Sequence, residues 1–90
     1  MEISIVEDTG KKLVIEFSEK DLTISELLAS KLSSMDGVEM AAATQQHPEI
    51  SNPQLVLVAE KSNAKTLLLK AIEELQEEMD EMKKKLPKKQ

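Results

Sequence analysis

The chain has 90 residues, a formal net charge of −5, no cysteine and one aromatic residue, Phe17. That length supports one small core built from Leu, Ile, Val, Met and Ala, and the lack of cysteine excludes disulfides, thiol catalysis and zinc knuckles. All twelve basic residues are lysine, and a chain without arginine and with so few aromatics is poorly equipped to read bases or to stack on them.

Charge is spread unevenly. Five of the lysines lie within 83–89, so residues 1–82 carry seven lysines against all seventeen acids. The start at Met1 shows neither the basic nor the apolar region of a signal peptide, and no run approaches the length of a membrane span. A cytoplasmic location, one domain over 1–86 and a solvated basic tail over 87–90 are expected.

Residues 2–6 (EISIV) alternate, with Ile3 and Ile5 on one face, the pattern of a half-buried strand. Gly10 supplies the turn, and Leu13, Ile15 and Phe17 alternate on the far side, which together predict a β-hairpin. Thr23-Ile24-Ser25-Glu26 reads as a capping box with Thr23 as N-cap. Ile24, Leu27, Leu28, Leu32 and Met35 then form a helical stripe, and Gly37 sits where a left-handed cap belongs, so a helix is expected over about 24–35. Val38–Gln46 (VEMAAATQQ) follows a helix-ending glycine and reads as a strand of small residues, with Val38, Met40 and Ala42 sharing a face against a close neighbour. Pro48 pushes the residue before it to extended geometry, and a loop bounded by Pro48 and Pro53 follows. The unbroken apolar run Leu55–Val58 predicts a strand central in its sheet or covered on both faces.

The last element dominates the chain. Leu68, Ile72, Leu75, Met79, Met82 and Leu86 recur at spacings of four and three without interruption, a heptad seam on one helix that runs from Asn63, its expected N-cap, to Leu86. Six acids cover the rest of the cylinder, and Lys83, Lys84 and Lys85 close it, in accord with the helix dipole. Asp80–Lys84 and Glu81–Lys85 are spaced as i,i+4 pairs. Such a helix spans roughly 35 Å, more than the roughly 25 Å width of a compact domain of this size. An apolar stripe that outruns its own core is an interface. The order β-β-α-β-β-α, with one apolar stripe per helix, implies a two-layer α+β domain: a four-stranded antiparallel sheet with both helices on one face.

Catalytic chemistry has few residues to draw on. His47 is the sole histidine and reads as a turn residue before Pro48; Gly10 and Gly37 make no phosphate loop. The paired acids Glu73/Glu74 and Glu77/Glu78 read as a solvated face rather than a cation site. No cofactor, no metal and no small-molecule substrate are expected.

Taken in order, Asp21, Thr23, Ile24, Leu27 and Leu28; Val38, Met40, Ala41 and Ala42; His47 and Pro48; then Pro53, Leu55 and Leu57 ahead of a long acidic helix resemble the archaeal RNA polymerase subunit L family. That family is akin to the eleventh subunit of eukaryotic RNA polymerase II and to the dimerisation part of the bacterial α subunit. The resemblance covers nearly the whole chain, and the His-Pro pair nine residues after Val38 is its most telling piece. Leu22, Ser25, Glu26 and Ala29 stand where the family often has His, Gly, Asn and Arg, and Met40 and Ala43 replace a usual aromatic pair. The resemblance implies a non-catalytic subunit of a DNA-directed RNA polymerase. It would heterodimerise through its helices with the larger D subunit, a relative of the third eukaryotic subunit. That pair would join small subunits N and P and form a platform for the large catalytic subunits, which hold the magnesium chemistry. Ile24, Leu27, Leu28, Leu68, Ile72, Leu75, Met79 and Met82 are the candidate contacts. Two alternatives stand beside this reading: a homodimeric adaptor using the same stripe, and a pterin carbinolamine dehydratase of similar build, which requires more histidines than one.

Overall fold

The computed structural model describes residues 2–19, 22–47, 51–61 and 63–86. Its elements run β1 (Ile3–Asp8), β2 (Lys12–Phe17), α1 (Thr23–Ser33), β3 (Val38–Thr44), β4 (Gln54–Ala59) and α2 (Ala64–Lys85). The four strands form one antiparallel sheet in the order β1-β2-β4-β3, with both helices packed on one face. The α+β arrangement expected from the sequence is therefore the one observed.

The apolar run of β4 lies in the middle of the sheet. Leu55 and Leu57 pair with Ile15 and Leu13 of β2 and with Ala43 and Ala41 of β3, and all face the helices. Alternate residues Val56 and Val58 take the open face and are half-buried there beside Val14. The small residues of β3 let α1 lie close over β3 and β4, but in a different register from the one expected. A bulge between Val38 and Met40 inserts one residue, and a one-residue slip exchanges the faces of a strand. Val38, Ala41 and Ala43 thus pack on the core, while Met40 and Ala42 turn to the open face.

β1 forms, but it is not half-buried. All six of its residues are exposed, and Ile3 and Ile5 are each 55% accessible although they share the helix-facing side with Phe17 and Ile15. The helices cover β2, β3 and β4 and stop short of this edge.

Both helix starts differ from the capping expected. α1 begins one residue early, so Thr23 is its first helical residue and Leu22 occupies the N-cap position with helical backbone angles and no side-chain cap bond. The Leu22 carbonyl accepts from the Glu26 amide at 2.9 Å and from the Ser25 hydroxyl at 3.0 Å. That bond satisfies Ser25, which is fully buried. Asn63 does hold the N-cap position of α2, yet its side chain makes no cap bond and its φ is 121°. The amides of Asn63 and Ala64 instead both donate to the Gly10 carbonyl at 2.8 Å. Gly10, at φ 89°, tips the β1–β2 turn, which is tightened by bonds from its amide to Asp8 Oδ1 and from the Lys12 amide to Thr9 Oγ1. The hairpin turn is thus the cap of the long helix.

A φ of 121° strains any residue with a Cβ. Asn63→Gly should raise stability by about 1 kcal/mol, strain relief exceeding the entropy that glycine adds to the unfolded chain. Denaturant melts showing a loss of stability would contradict this.

Candidate partner interface

The helix stripe divides along its length. Ala64, Leu68 and Ala71 are buried on the sheet, and Leu75 is half-buried against the same core. Beyond it Met79 and Met82 are 50% and 57% exposed, and Leu86 is exposed as well. Twenty-two residues span roughly 33 Å, and the molecule is 47 Å long with a radius of gyration of 14.4 Å, against about 12 Å for a compact chain of this length. The last two turns of α2 project past the sheet.

The middle of α2 is tied to α1 electrostatically. Lys31 of α1, its side chain only 16% exposed, donates to Glu78 Oε2 at 2.7 Å and lies 3.2 Å from Glu74 Oε1, one turn earlier. These two contacts, Glu78 first, hold the Lys31 ammonium above its usual pKa. Glu81 and Lys85 pair at 3.7 Å as their spacing predicts.

Alongside the clamp, toward β1 and β2, the helices and the sheet enclose a groove of about 340 Å³. Ile24, Leu27 and Leu28 of α1 and Ile72, Leu75, Gln76 and Met79 of α2 form its walls, with Ile3 and Phe17 contributed by the sheet. Six of the eight candidate contacts therefore meet at one surface. Leu28 lies in the core at the groove's base, whereas Ile24, Leu27, Ile72 and Met79 remain exposed. Leu68 is a core residue that lines a smaller adjoining groove of about 150 Å³, and Met82 stands on the projecting turns. Sequence periodicity does not point to Ile3, Ile5 or Leu69, because each belongs to the surface only through the way α2 crosses the sheet.

The remaining motif residues sit elsewhere. Val38 and Ala41 pack on the core, Ala42 on the open sheet face, and Pro53 is buried. His47 is exposed, and its carbonyl accepts from the Ser51 amide at 2.8 Å. Thr23 lies exposed at the start of α1. Asp21, Pro48 and the tail 87–90 fall outside the described residues. Among the described residues no group of acids and histidine is arranged to hold a metal ion, and no helix is long and apolar enough to cross a membrane.

Residues 12–85, from the first residue of β2 to the end of α2, match the RNA polymerase Rpb3/Rpb11 dimerisation domain. The chain belongs to that family. Among solved structures it is similar to DNA-directed RNA polymerase subunit L from Thermoplasma acidophilum, with a TM-score of 0.82 and 18% identity over 92% of this chain and 82% of that one. At that identity the likeness establishes the fold. No curated protein matches by sequence. The family is named for dimerisation.

The Lys31 clamp yields a test of its own. A raised lysine pKa contributes stability that is fully present below the unfolded value, about 10.4, and is lost as pH rises through the higher folded value. Lys31→Met should therefore lower the melting temperature at pH 7, and the difference from wild type should shrink through alkaline pH. Equal melting temperatures at pH 7 would show that the clamp contributes nothing.

Proposed function

We propose that this chain is a non-catalytic assembly subunit of a cytoplasmic DNA-directed RNA polymerase. It pairs through α1 and α2 with a D-like, Rpb3-type partner to make the platform on which small subunits N and P and the large catalytic subunits assemble. The observation that carries this reading is a helix stripe left half uncovered by its own fold in a chain of the Rpb3/Rpb11 dimerisation family. The similar Thermoplasma structure is that of a polymerase subunit L, which supports the choice of assembly over adaptor. Nothing in the mechanism is chemical: the chain presents a preformed apolar surface, and the partner completes a shared core.

Magnitudes set what that surface can do. Ile24, Leu27, Ile72, Met79 and Met82 are between 39% and 57% exposed. Covering them contributes roughly 3–7 kcal/mol at roughly 1.5–3 kcal/mol per fully buried side chain, and a matching surface on the partner about doubles it. Association costs about 4–15 kcal/mol in lost freedom. The helix seam alone thus comes close to balance, and a stable pair requires further contact area.

Met79 is the cleaner probe than Leu75, which also packs on the core. Met79→Asp should leave the isolated chain folded, since the side chain is half exposed, and should weaken binding to the Rpb3-type partner at least 100-fold by placing an unpaired carboxylate in the joint core. Circular dichroism with calorimetric titration reads both. Undiminished binding would remove the seam from the interface. His47→Ala, by contrast, should leave assembly and transcription by the reconstituted polymerase unchanged, because the bond to Ser51 is made by its carbonyl and its side chain is no part of the groove. Loss of activity in a fully assembled complex would give the imidazole a role.

A further inference from the structure

The face of the sheet turned away from the helices carries a polar cavity of about 500 Å³. Strand register builds its floor. Glu16 of β2 pairs with Gln54 of β4, which pairs with Thr44 of β3, and all three alternate with residues that face the core. Its wall comes from the two ends of the β3–β4 connection, where Gln45 Nε2 donates to the Ser51 carbonyl at 2.9 Å. The Phe17 amide donates to the Pro53 carbonyl at 3.0 Å, which ties that wall to β2. Among the described residues Glu16, half-buried, is the one charged side chain lining the cavity. Its two carboxylate oxygens accept from Gln54 Nε2 at 3.1 Å and from Asn52 Nδ2 at 3.3 Å. A carboxylate accepts and cannot donate, so these bonds fix which way both amides point.

We propose that this cavity is a binding site for an arginine side chain of another polypeptide, with Glu16 as the counter-ion of its guanidinium. A carboxylate set among carboxamide and hydroxyl oxygens calls for a cation with several donors. The planar fork of five N–H groups on a guanidinium matches such a spread of acceptors better than the point charge of an ammonium. This chain cannot supply the arginine, because all twelve of its basic residues are lysine, and a second copy brings none either. A free amino acid would bring its own carboxylate, for which no basic side chain lines the cavity among the described residues. Within a polypeptide that charge is absent, and the carboxamides of Gln45 and Gln54 suit the peptide groups flanking the arginine. The site lies on the opposite face of the sheet from the apolar groove and goes beyond the heterodimer reading.

The test titrates the full, isotope-labelled chain with the capped tripeptide acetyl-Gly-Arg-Gly-amide and follows the side-chain NH2 signals of Gln45, Asn52 and Gln54 by NMR. Those signals should shift saturably. The same peptide with lysine should bind at least threefold more weakly, and with citrulline, the uncharged isostere of arginine, at least tenfold more weakly. Glu16→Gln should weaken arginine binding at least tenfold with little change in melting temperature. Should that variant unfold, the citrulline comparison on the wild-type chain still decides. Equal binding of the citrulline peptide, or no response at these signals, would overturn the site. Equal binding of the lysine peptide would overturn the guanidinium assignment. Free L-arginine binding as tightly as the tripeptide would overturn the polypeptide source. No Rpb3-type partner enters the titration, so its outcome is separate from that of the heterodimer reading.

Discussion

The arrangement depends on a mismatch between one helix and the core beneath it. α2 carries a single uninterrupted stripe, but the sheet is large enough to bury only its first half, from Ala64 to Leu75. The rest of the stripe is the same chemistry with no neighbour. Apolar surface left in water is unfavourable, so the fold is incomplete in a definite direction, toward a surface that can continue the core. The other elements follow from this one: the sheet supplies a floor, α1 a second wall, and the hairpin turn a fixed origin for α2.

That origin is held by backbone rather than by side chains. Two amides at the start of α2 donate to the Gly10 carbonyl, and Lys31 ties the middle of the helix to α1 through Glu74 and Glu78. A helix anchored at both points projects at a set angle, so the direction of its free turns is fixed in advance. Preorganisation of this kind lowers the entropic cost of association, which matters where contact area and cost are close to balance.

Much of this was legible in the residues. The spacing of Leu68 to Leu86 specified both the helix and its overhang, and the alternation in β2 and the unbroken run in β4 placed the central strands. What could not be read had physical causes. The bulge at Val38–Met40 exchanges the faces of β3, and no residue type there announces it. The N-cap position expected at Thr23 falls on Leu22 because α1 starts one residue early, and α2 takes its cap from Gly10, fifty-three residues before Asn63, rather than from the Asn63 side chain. The exposure of Ile3 and Ile5 reflects where the helices stop across the sheet, a property of packing that alternation within one strand does not encode. For the same reason the groove residues from α1 and α2 could be nominated from periodicity, while Ile3 and Ile5 of β1 emerged only with the tertiary arrangement.

The claim that the far half of α2 belongs to a shared core is tested most directly by amide hydrogen exchange on the chain alone and with the Rpb3-type partner. In the free chain, residues 64–75 should exchange slowly and residues 76–86 quickly, because only the first stretch is held by burial. Partner binding should slow exchange over 76–86 by at least tenfold and change 64–75 little. Slow exchange across 76–86 already in the free chain, or no slowing on binding, would contradict a core completed by the partner.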